Sequence, residues 1–178
     1  MMHKYIILAG GCFWCTESVF KSFAGIINVT SGYIGGTIAN PTYEQICKGN
    51  TGHAESVKVL YNEEIISLSK ILEIFFFTHD PTQYHRQGSD IGSQYRSAIF
   101  YNAAEEELII SKAMDNAKKL WRSEITTEVN KGGIFYDAEA YHQNFFENNP
   151  NNTYCMAIIK PKLDKIYEIY NGLLEKKN

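Results

Sequence analysis

The stretch Gly10-Gly11-Cys12-Phe13-Trp14-Cys15-Thr16-Glu17 joins an apolar run over residues 5–9 to a segment of helical periodicity. This pattern predicts a strand, a tight glycine turn that leaves open space above the sulfur, and a helix over residues 13–24. Cys12 would then lie at the helix N-terminus, where unpaired N–H groups and the helix dipole favour negative charge. We therefore predict a lowered thiol pKa and a nucleophilic cysteine beside an aromatic wall.

The two cysteines of this stretch are also compatible with other roles. A cysteine near a helix start is often a small buried apolar residue. A C-x-x-C pair is typical of thioredoxin-like sites, but the bulky Phe13 and Trp14 between Cys12 and Cys15 favour a pocket lining. The other two cysteines are isolated and no histidine pair has helical metal spacing, so we expect no metal site.

The composition is that of a single globular domain spanning residues 1–178. Hydrophobic residues make up 44% and charged residues 21%, which is ordinary for such a protein. The net charge of −3, without a Lys/Arg run, argues against nucleic acid as a partner. No apolar stretch is long enough for a membrane span. Four cysteines at unlike spacings, with no recognisable signal peptide, favour the reducing cytoplasm over a disulfide scaffold.

Periodicity and turn residues predict the order β-α-β-β-α-β for the first hundred residues, which is typical of ferredoxin-like sandwiches. The predicted fold class is α+β, with two layers, helices mainly on one face of the sheet, and a helical and irregular C-terminal extension. The long loop over residues 81–94 favours a functional role. The predicted strands cover residues 5–9, 26–33, 54–61, 95–101 and 125–129; the predicted helices cover residues 13–24, 42–48, 68–79, 103–121 (capped by Asn102 with Glu105), 137–146 and 161–175.

Glu55 is an unusual residue for its position. It shares strand parity with Val57, Val59 and Tyr61, so it points to the apolar face. A carboxylate there pairs with a cation, lies in solvent at a frayed strand end, or is kept protonated by desolvation. A protonated carboxylic acid near Cys12 would act as an acid catalyst or as a donor to a substrate oxygen.

Hydrogen-bonding side chains are dense over residues 79–97, and for most of them we predict contacts within the loop itself. Tyr33 and Tyr95 stand at predicted strand-to-loop junctions, where a phenol can reach into a mouth between loops. Four histidines are predicted to be loop hydrogen-bonding groups rather than bases, namely His53, His79, His85 and His142.

Several short motifs follow one another through nearly the whole chain. They are Gly10-Gly11-Cys12-Phe13-Trp14, Ser31-Gly32-Tyr33-Ile34-Gly35-Gly36, Gly52-His53-Ala54-Glu55, His79-Asp80-Pro81-Thr82-Gln83, Arg86-Gln87-Gly88, Gln94-Tyr95-Arg96-Ser97, Ala140-Tyr141-His142-Gln143 and Tyr154-Cys155. In this order and rough spacing the chain resembles the peptide methionine sulfoxide reductase A family.

The resemblance implies an enzyme that reduces the S epimer of methionine sulfoxide, free or in proteins, and so repairs oxidised proteins. It implies that Cys12 is the nucleophile that attacks the sulfoxide sulfur and Glu55 the acid that protonates the oxygen. Tyr33 and Tyr95 match additional donors.

Three further residues match the family's substrate pocket. Phe13 and Trp14 match the wall around the substrate S-methyl group, and Asp90 matches a carboxylate that orients the substrate or the local network. A non-catalytic pocket for methionine or a methylated side chain is the alternative, which the donors beside a nucleophile disfavour.

The resemblance also implies a sulfenic acid on Cys12, then a disulfide that thioredoxin reduces as the external reductant, with no bound cofactor. Many members carry extra cysteines in a glycine-rich tail, whereas this chain ends in a Lys/Glu-rich segment. The resolving cysteine is then Cys155, after the Asn-rich residues 148–152, with Cys15 or direct attack by thioredoxin as the alternatives. Cys47 is expected to play a structural part.

Overall fold

The computed structural model describes residues 3–174, which form a mixed six-stranded sheet, a small hairpin and surrounding helices. The predicted mixture of helices and strands is confirmed. The strands are β1 (His3–Gly10), β2 (Ile26–Ile34), β3 (Ala54–Asn62), β4 (Arg86–Gln87), β5 (Asp90–Ile91), β6 (Ser97–Tyr101), β7 (Glu128–Lys131) and β8 (Tyr136–Asp137). The α-helices are α1 (Phe13–Phe20), α2 (Tyr43–Cys47), α3 (Leu68–Thr78), α4 (Ala104–Trp121), α5 (Phe145–Asn148) and α6 (Lys160–Ile169).

The order of the large sheet is β7-β6-β1-β3-β2-β8, and only the β6–β7 pair is parallel. Gly10 at the end of β1 pairs with Ser97 at the start of β6, and Ile34 pairs with Ala54 at the start of β3. Because these neighbouring strands run in opposite directions, the C-terminal ends of β1 and β2 lie beside the N-terminal ends of β3 and β6, at one end of the sheet. The residues that follow or precede these strand ends are therefore brought together.

The two faces of the sheet are covered differently. Inward side chains of β1 and β3, such as Leu8 and Val57, share a buried cluster with α1 and α3, including Phe20 and Phe75. The opposite face carries a smaller cluster that includes Phe100. Alternation along each strand separates these two sets of side chains. None of the helices within residues 3–174 has the length and apolar character required to cross a bilayer.

The start of α4 corrects the predicted cap. The Asn102–Glu105 pairing is wrong, because the helix begins at Ala104 and Glu106 accepts from the backbone N–H groups of Asn102 and Ala103. Glu106 thus satisfies the unpaired donors of the helix start, one residue later than predicted. The start of α3 is capped by Ser67, whose Oγ accepts from Lys70 N.

Two other boundaries differ from the prediction. Helix α1 ends at Phe20 rather than at residue 24, because Phe23 pairs with Leu174 and Gly25 turns the chain with a φ of +89°. Tyr95 belongs to a 3₁₀ turn, Ser93–Tyr95, and β6 begins only at Ser97. Contacts within the tertiary structure therefore decide where α1 ends and where β6 begins.

The C-terminal third departs most from the prediction. The helix predicted over residues 137–146 is wrong: β8 pairs with β2, then a 3₁₀ turn (Ala140–His142) and α5 follow. Gln143 explains the change, because its side chain bonds the backbone N–H and C=O groups of Ser31 and binds this segment to the edge of the sheet. The last helix, α6, follows a π-helical turn (Cys155–Ile159) and ends at Ile169, and the predicted end at residue 175 lies outside the described residues.

Candidate active site

Cys12 lies immediately before α1, as predicted, and its carbonyl accepts from the N–H group of Cys15 over 3.1 Å. The predicted lowering of its pKa is wrong. Burial raises the pKa of the Cys12 thiol well above its ordinary value, and the negative charge of Glu55 adds to the effect. The Trp14 backbone N–H group opposes this only in part. In the resting state Cys12 is therefore a protonated thiol, because desolvation outweighs the N-terminus of a short helix.

Gly11 makes the turn into α1 possible, as predicted. Its φ of +94° lies in the region that favours glycine. The space beside it is filled by Gln87, whose side-chain atoms would lie 2.7 Å from an added Cβ. The glycine thus also lets the β4–β5 hairpin approach the turn closely.

Glu55 is buried, with 1% of its surface exposed, and its Oε2 accepts from the backbone N–H of Phe13 over 3.1 Å. It lies directly opposite Tyr33 in the β2–β3 ladder and forms no salt bridge within residues 3–174. Burial raises the pKa of this carboxyl group to about 8, although the Phe13 hydrogen bond opposes the rise. Of the three alternatives, the structure supports the desolvated, protonated acid.

The two tyrosines differ in whether their proton is free. The phenol of fully buried Tyr33 donates to Oε1 of Glu139 over 3.2 Å. Tyr95 is partly exposed, and its phenol makes no hydrogen bond to any residue within the described part of the chain. Burial, with the charges of Glu55 and Asp90, raises the pKa of the Tyr95 phenol, so this group stays protonated. Tyr95 can donate to a bound ligand without first breaking a bond.

Phe13 and Trp14 form an aromatic wall next to Cys12. Phe13 is buried 5.6 Å from the Tyr33 ring, whereas Trp14 is partly exposed and stacks on Phe145 at 3.6 Å and 5°. The indole N–H group of Trp14 donates to His142 over 2.9 Å. Sequence reasoning missed Phe145, and it treated His142 only as a loop hydrogen-bonding group.

Glu139 was also missed by sequence reasoning. Besides the phenol of Tyr33, it accepts from the backbone N–H of Tyr43 and from the phenol of Tyr141. No pattern in the sequence signals this, because its partners lie up to 106 positions away in the chain. The motif at residues 140–143 was the only sequence signal near it.

Asp90 lies in the hairpin that divides the predicted long loop. Its Oδ2 accepts from the phenol of Tyr154 over 2.8 Å, so it contacts the segment that leads to Cys155. The predicted internal bonding of the loop is confirmed: Asp80 accepts from Thr82 and Gln83. The hairpin is thus stiffened before a ligand arrives.

All four cysteines are free thiols. Cys155 is fully buried, and burial is the main reason why the pKa of its thiol is raised. The charge of nearby Cys15 raises this pKa further. Cys47 is exposed at the end of α2. Within residues 3–174 no cluster of three His, Cys, Asp or Glu side chains is placed to hold a metal ion.

Together these groups can carry out one kind of chemistry. A thiol lies beside a carboxylic acid that is protonated at neutral pH, a free phenol and an apolar aromatic surface. Such a set can attack an electrophilic atom while a proton is delivered to an oxygen bound to it.

Comparison with known proteins agrees with this geometry. A family model described as peptide methionine sulfoxide reductase matches residues 4–172. The peptide methionine sulfoxide reductase MsrA of Clavibacter michiganensis subsp. michiganensis is 49% identical over 160 residues, which cover 90% of this chain and 91% of that protein. The crystal structure of Mxr1 from Saccharomyces cerevisiae in reduced form has a TM-score of 0.80 at 34% identity, covering 86% of this chain and 89% of that one. The structure of Mxr1 in complex with Trx2 has a TM-score of 0.58 at 26% identity, covering 80% and 84%.

Proposed function

The chain belongs to the peptide methionine sulfoxide reductase family and is an enzyme of that class, and from this premise we propose how its own residues reduce methionine-S-sulfoxide. The observation that carries the proposal is the buried acid at the nucleophile. Glu55 reaches the backbone N–H of the residue after Cys12, and burial keeps this carboxyl protonated at pH 7. A pocket that only bound methionine would have no use for such an acid.

In the proposed first step, the Cys12 sulfur attacks the sulfoxide sulfur, so that a sulfur–sulfur bond forms while the sulfur–oxygen bond of the substrate breaks. Glu55 and the thiol each give a proton to the departing oxygen, which leaves as water. A water molecule then attacks the Cys12 sulfur, the sulfur–sulfur bond breaks with its electron pair on the substrate sulfur, and one proton of this water returns to Glu55. Cys12 is left as a sulfenic acid, and methionine leaves as the two-electron-reduced product. The step takes up no net proton, so the raised pKa values of both groups are compatible with it.

We assign the surrounding residues from their contacts. Phe13 and Trp14 bind the S-methyl group, since they form the apolar surface beside the thiol. Tyr95 is the second donor to the sulfoxide oxygen, because its proton is free, whereas Tyr33 would have to release Glu139 first. Asp90 acts on the local network through Tyr154.

The second half of the cycle uses thiols only. Cys155 attacks the sulfenic acid of Cys12, which forms a disulfide and releases water, and a dithiol such as thioredoxin then reduces this disulfide. The complex of yeast Mxr1 with Trx2 supports a partner of this kind. No bound cofactor is needed, because every electron comes from sulfur.

The proposal extends to the role and setting of the protein. Its substrates are free methionine sulfoxide and oxidised proteins, and its role is repair in the cytoplasm by one domain over residues 1–178. The antiparallel order β6-β1-β3-β2 supports a ferredoxin-like core.

The proposed function is tested by turnover of each sulfoxide epimer with thioredoxin and its reductase. We expect steady reduction of methionine-S-sulfoxide and no significant reduction of the R epimer, because the methyl group and the oxygen occupy different sides of the pocket. Equal rates for both epimers would contradict the proposal that Phe13 and Trp14 bind the methyl group while Glu55 binds the oxygen.

The resolving cysteine is tested by peptide mapping after one turnover without reductant. We expect Cys12 joined to Cys155, and the same bond in a Cys15→Ser variant. In Cys155→Ser the Cys12 sulfenic acid should persist and be trapped by a dione reagent, with one methionine released per enzyme. A Cys12–Cys15 bond in the native protein would overturn the assignment.

A further inference from the structure

The indole N–H group of Trp14 donates a hydrogen bond to a completely buried histidine, His142. Trp14 Nε1 lies 2.9 Å from His142 Nδ1, and His142 has 0% of its surface exposed. An imidazole nitrogen that accepts a hydrogen bond carries no proton, so the single ring proton of His142 lies on Nε2. The contact with Trp14 therefore requires the neutral ring in one tautomer.

The other ring nitrogen of His142 has no hydrogen-bond partner within residues 3–174. The nearest carboxylate oxygen, Oε2 of Glu139, is 3.9 Å from Nε2, which is too far for a hydrogen bond. Burial lowers the pKa of His142, and the charge of Glu139 opposes this only in part. Among the residues that the structure describes, Trp14 is thus the one hydrogen-bond partner of this side chain.

The ring of His142 is held firmly between aromatic neighbours. Its centre lies 5.0 Å from Phe13, 4.3 Å from Tyr43 and 4.1 Å from Tyr141. Trp14, by contrast, is partly exposed, and its stack on Phe145 sets the plane of the indole. The hydrogen bond at Nε1 sets where the ring edge lies in that plane.

We propose that His142 is a positioning residue, whose neutral imidazole sets the orientation of Trp14 and thereby the fit of the substrate methyl group. The inference rests on the proposed function for the identity of the substrate. Protonation of Nδ1 places two N–H donors against each other, so acid releases Trp14 from this orientation. The titratable groups facing His142 are the carboxyl of Glu139 and the phenols of Tyr43 and Tyr141.

The test compares His142→Leu with His142→Asn in a Trp121→Phe background, which leaves Trp14 as the only fluorescent indole. Both variants lose the imidazole ring and replace it by a side chain that branches at Cγ, but only Asn offers an oxygen near the position of Nδ1. We expect His142→Leu to raise KM for methionine-S-sulfoxide by about tenfold, the equivalent of one hydrogen bond, with kcat nearly unchanged. His142→Asn should restore KM to within about threefold of wild type.

The second readout is the emission of Trp14 as a function of pH. We expect a step in the emission below about pH 6.5 in the parent protein and in Glu139→Gln, and none in His142→Asn. This readout does not depend on turnover, so a parent protein without reductase activity would contradict the proposed function while the emission still tests the contact. The inference is overturned if the two His142 variants have the same KM, or if the parent emission shows no step.

Discussion

Replacing Cys12 by serine should abolish reduction of methionine-S-sulfoxide while the fold remains intact. A hydroxyl group is a far weaker nucleophile toward sulfur than a thiol, and it cannot form a sulfenic acid. We expect the rate to fall by at least about 10³-fold, since no neighbouring group can replace the attacking atom. The measurement is methionine release in a single turnover, with the fold checked by thermal unfolding.

Cys47→Ser is the matched control for this change. It makes the same thiol-to-hydroxyl replacement on an exposed residue at the end of α2, which we place outside the catalytic groups. The control should release methionine at the wild-type rate. Activity of Cys12→Ser within about tenfold of wild type would refute the assignment of the nucleophile.

Replacing Glu55 by glutamine should slow formation of the sulfenic acid by about 10²-fold or more, the range expected of a positioned acid. The amide keeps the shape of the side chain and can still donate a hydrogen bond, but it cannot transfer a proton. Substrate binding should change much less. Single-turnover methionine release measures the chemical step, and an unchanged rate would assign the proton to Tyr95 or, after release of Glu139, to Tyr33.

The free energy of unfolding, measured as a function of pH, is the control that shows whether the Glu55→Gln variant is folded. Glu55 has a pKa of about 8 in the folded protein against 4.5 for the free group, so between these values the folded state binds the additional proton. The contribution of Glu55 to the free energy of unfolding is complete below pH 4.5 and is lost as the pH rises to about 8. The free energy of unfolding should therefore fall by up to about 1.4 kcal/mol per pH unit in wild type, and this slope should be missing in Glu55→Gln. The variant should thus be less active and, near pH 8, more stable.

The parts of the site that follow from local pattern could be predicted from the sequence. A glycine turn between a strand and a helix places Cys12 before α1, because a continuous apolar run gives way there to helical spacing. Strand parity turns Glu55 into the apolar cluster, since alternate residues of β3 share a face. Both inferences use only neighbours within a few positions of the chain.

The segment around residues 136–148 could not be predicted in this way. Its apolar pattern favours a helix, yet β8 and Gln143 bind it to β2 more than a hundred positions earlier. Such contacts replace the hydrogen bonds that a helix would make, so local propensity loses to tertiary pairing. The same segment supplies Glu139 and His142 to the site.

The sequence by itself determined the strand-turn-helix unit, the position of Cys12 at its turn and the inward direction of Glu55. Only the tertiary structure decided that the Cys12 pKa is raised, that the Tyr33 proton is held by Glu139, and that the Trp14 indole is held by His142 across 128 positions. The physical reason is that desolvation depends on how many distant segments cover a group. A hydrogen bond between such segments likewise exists only once the fold has brought them together.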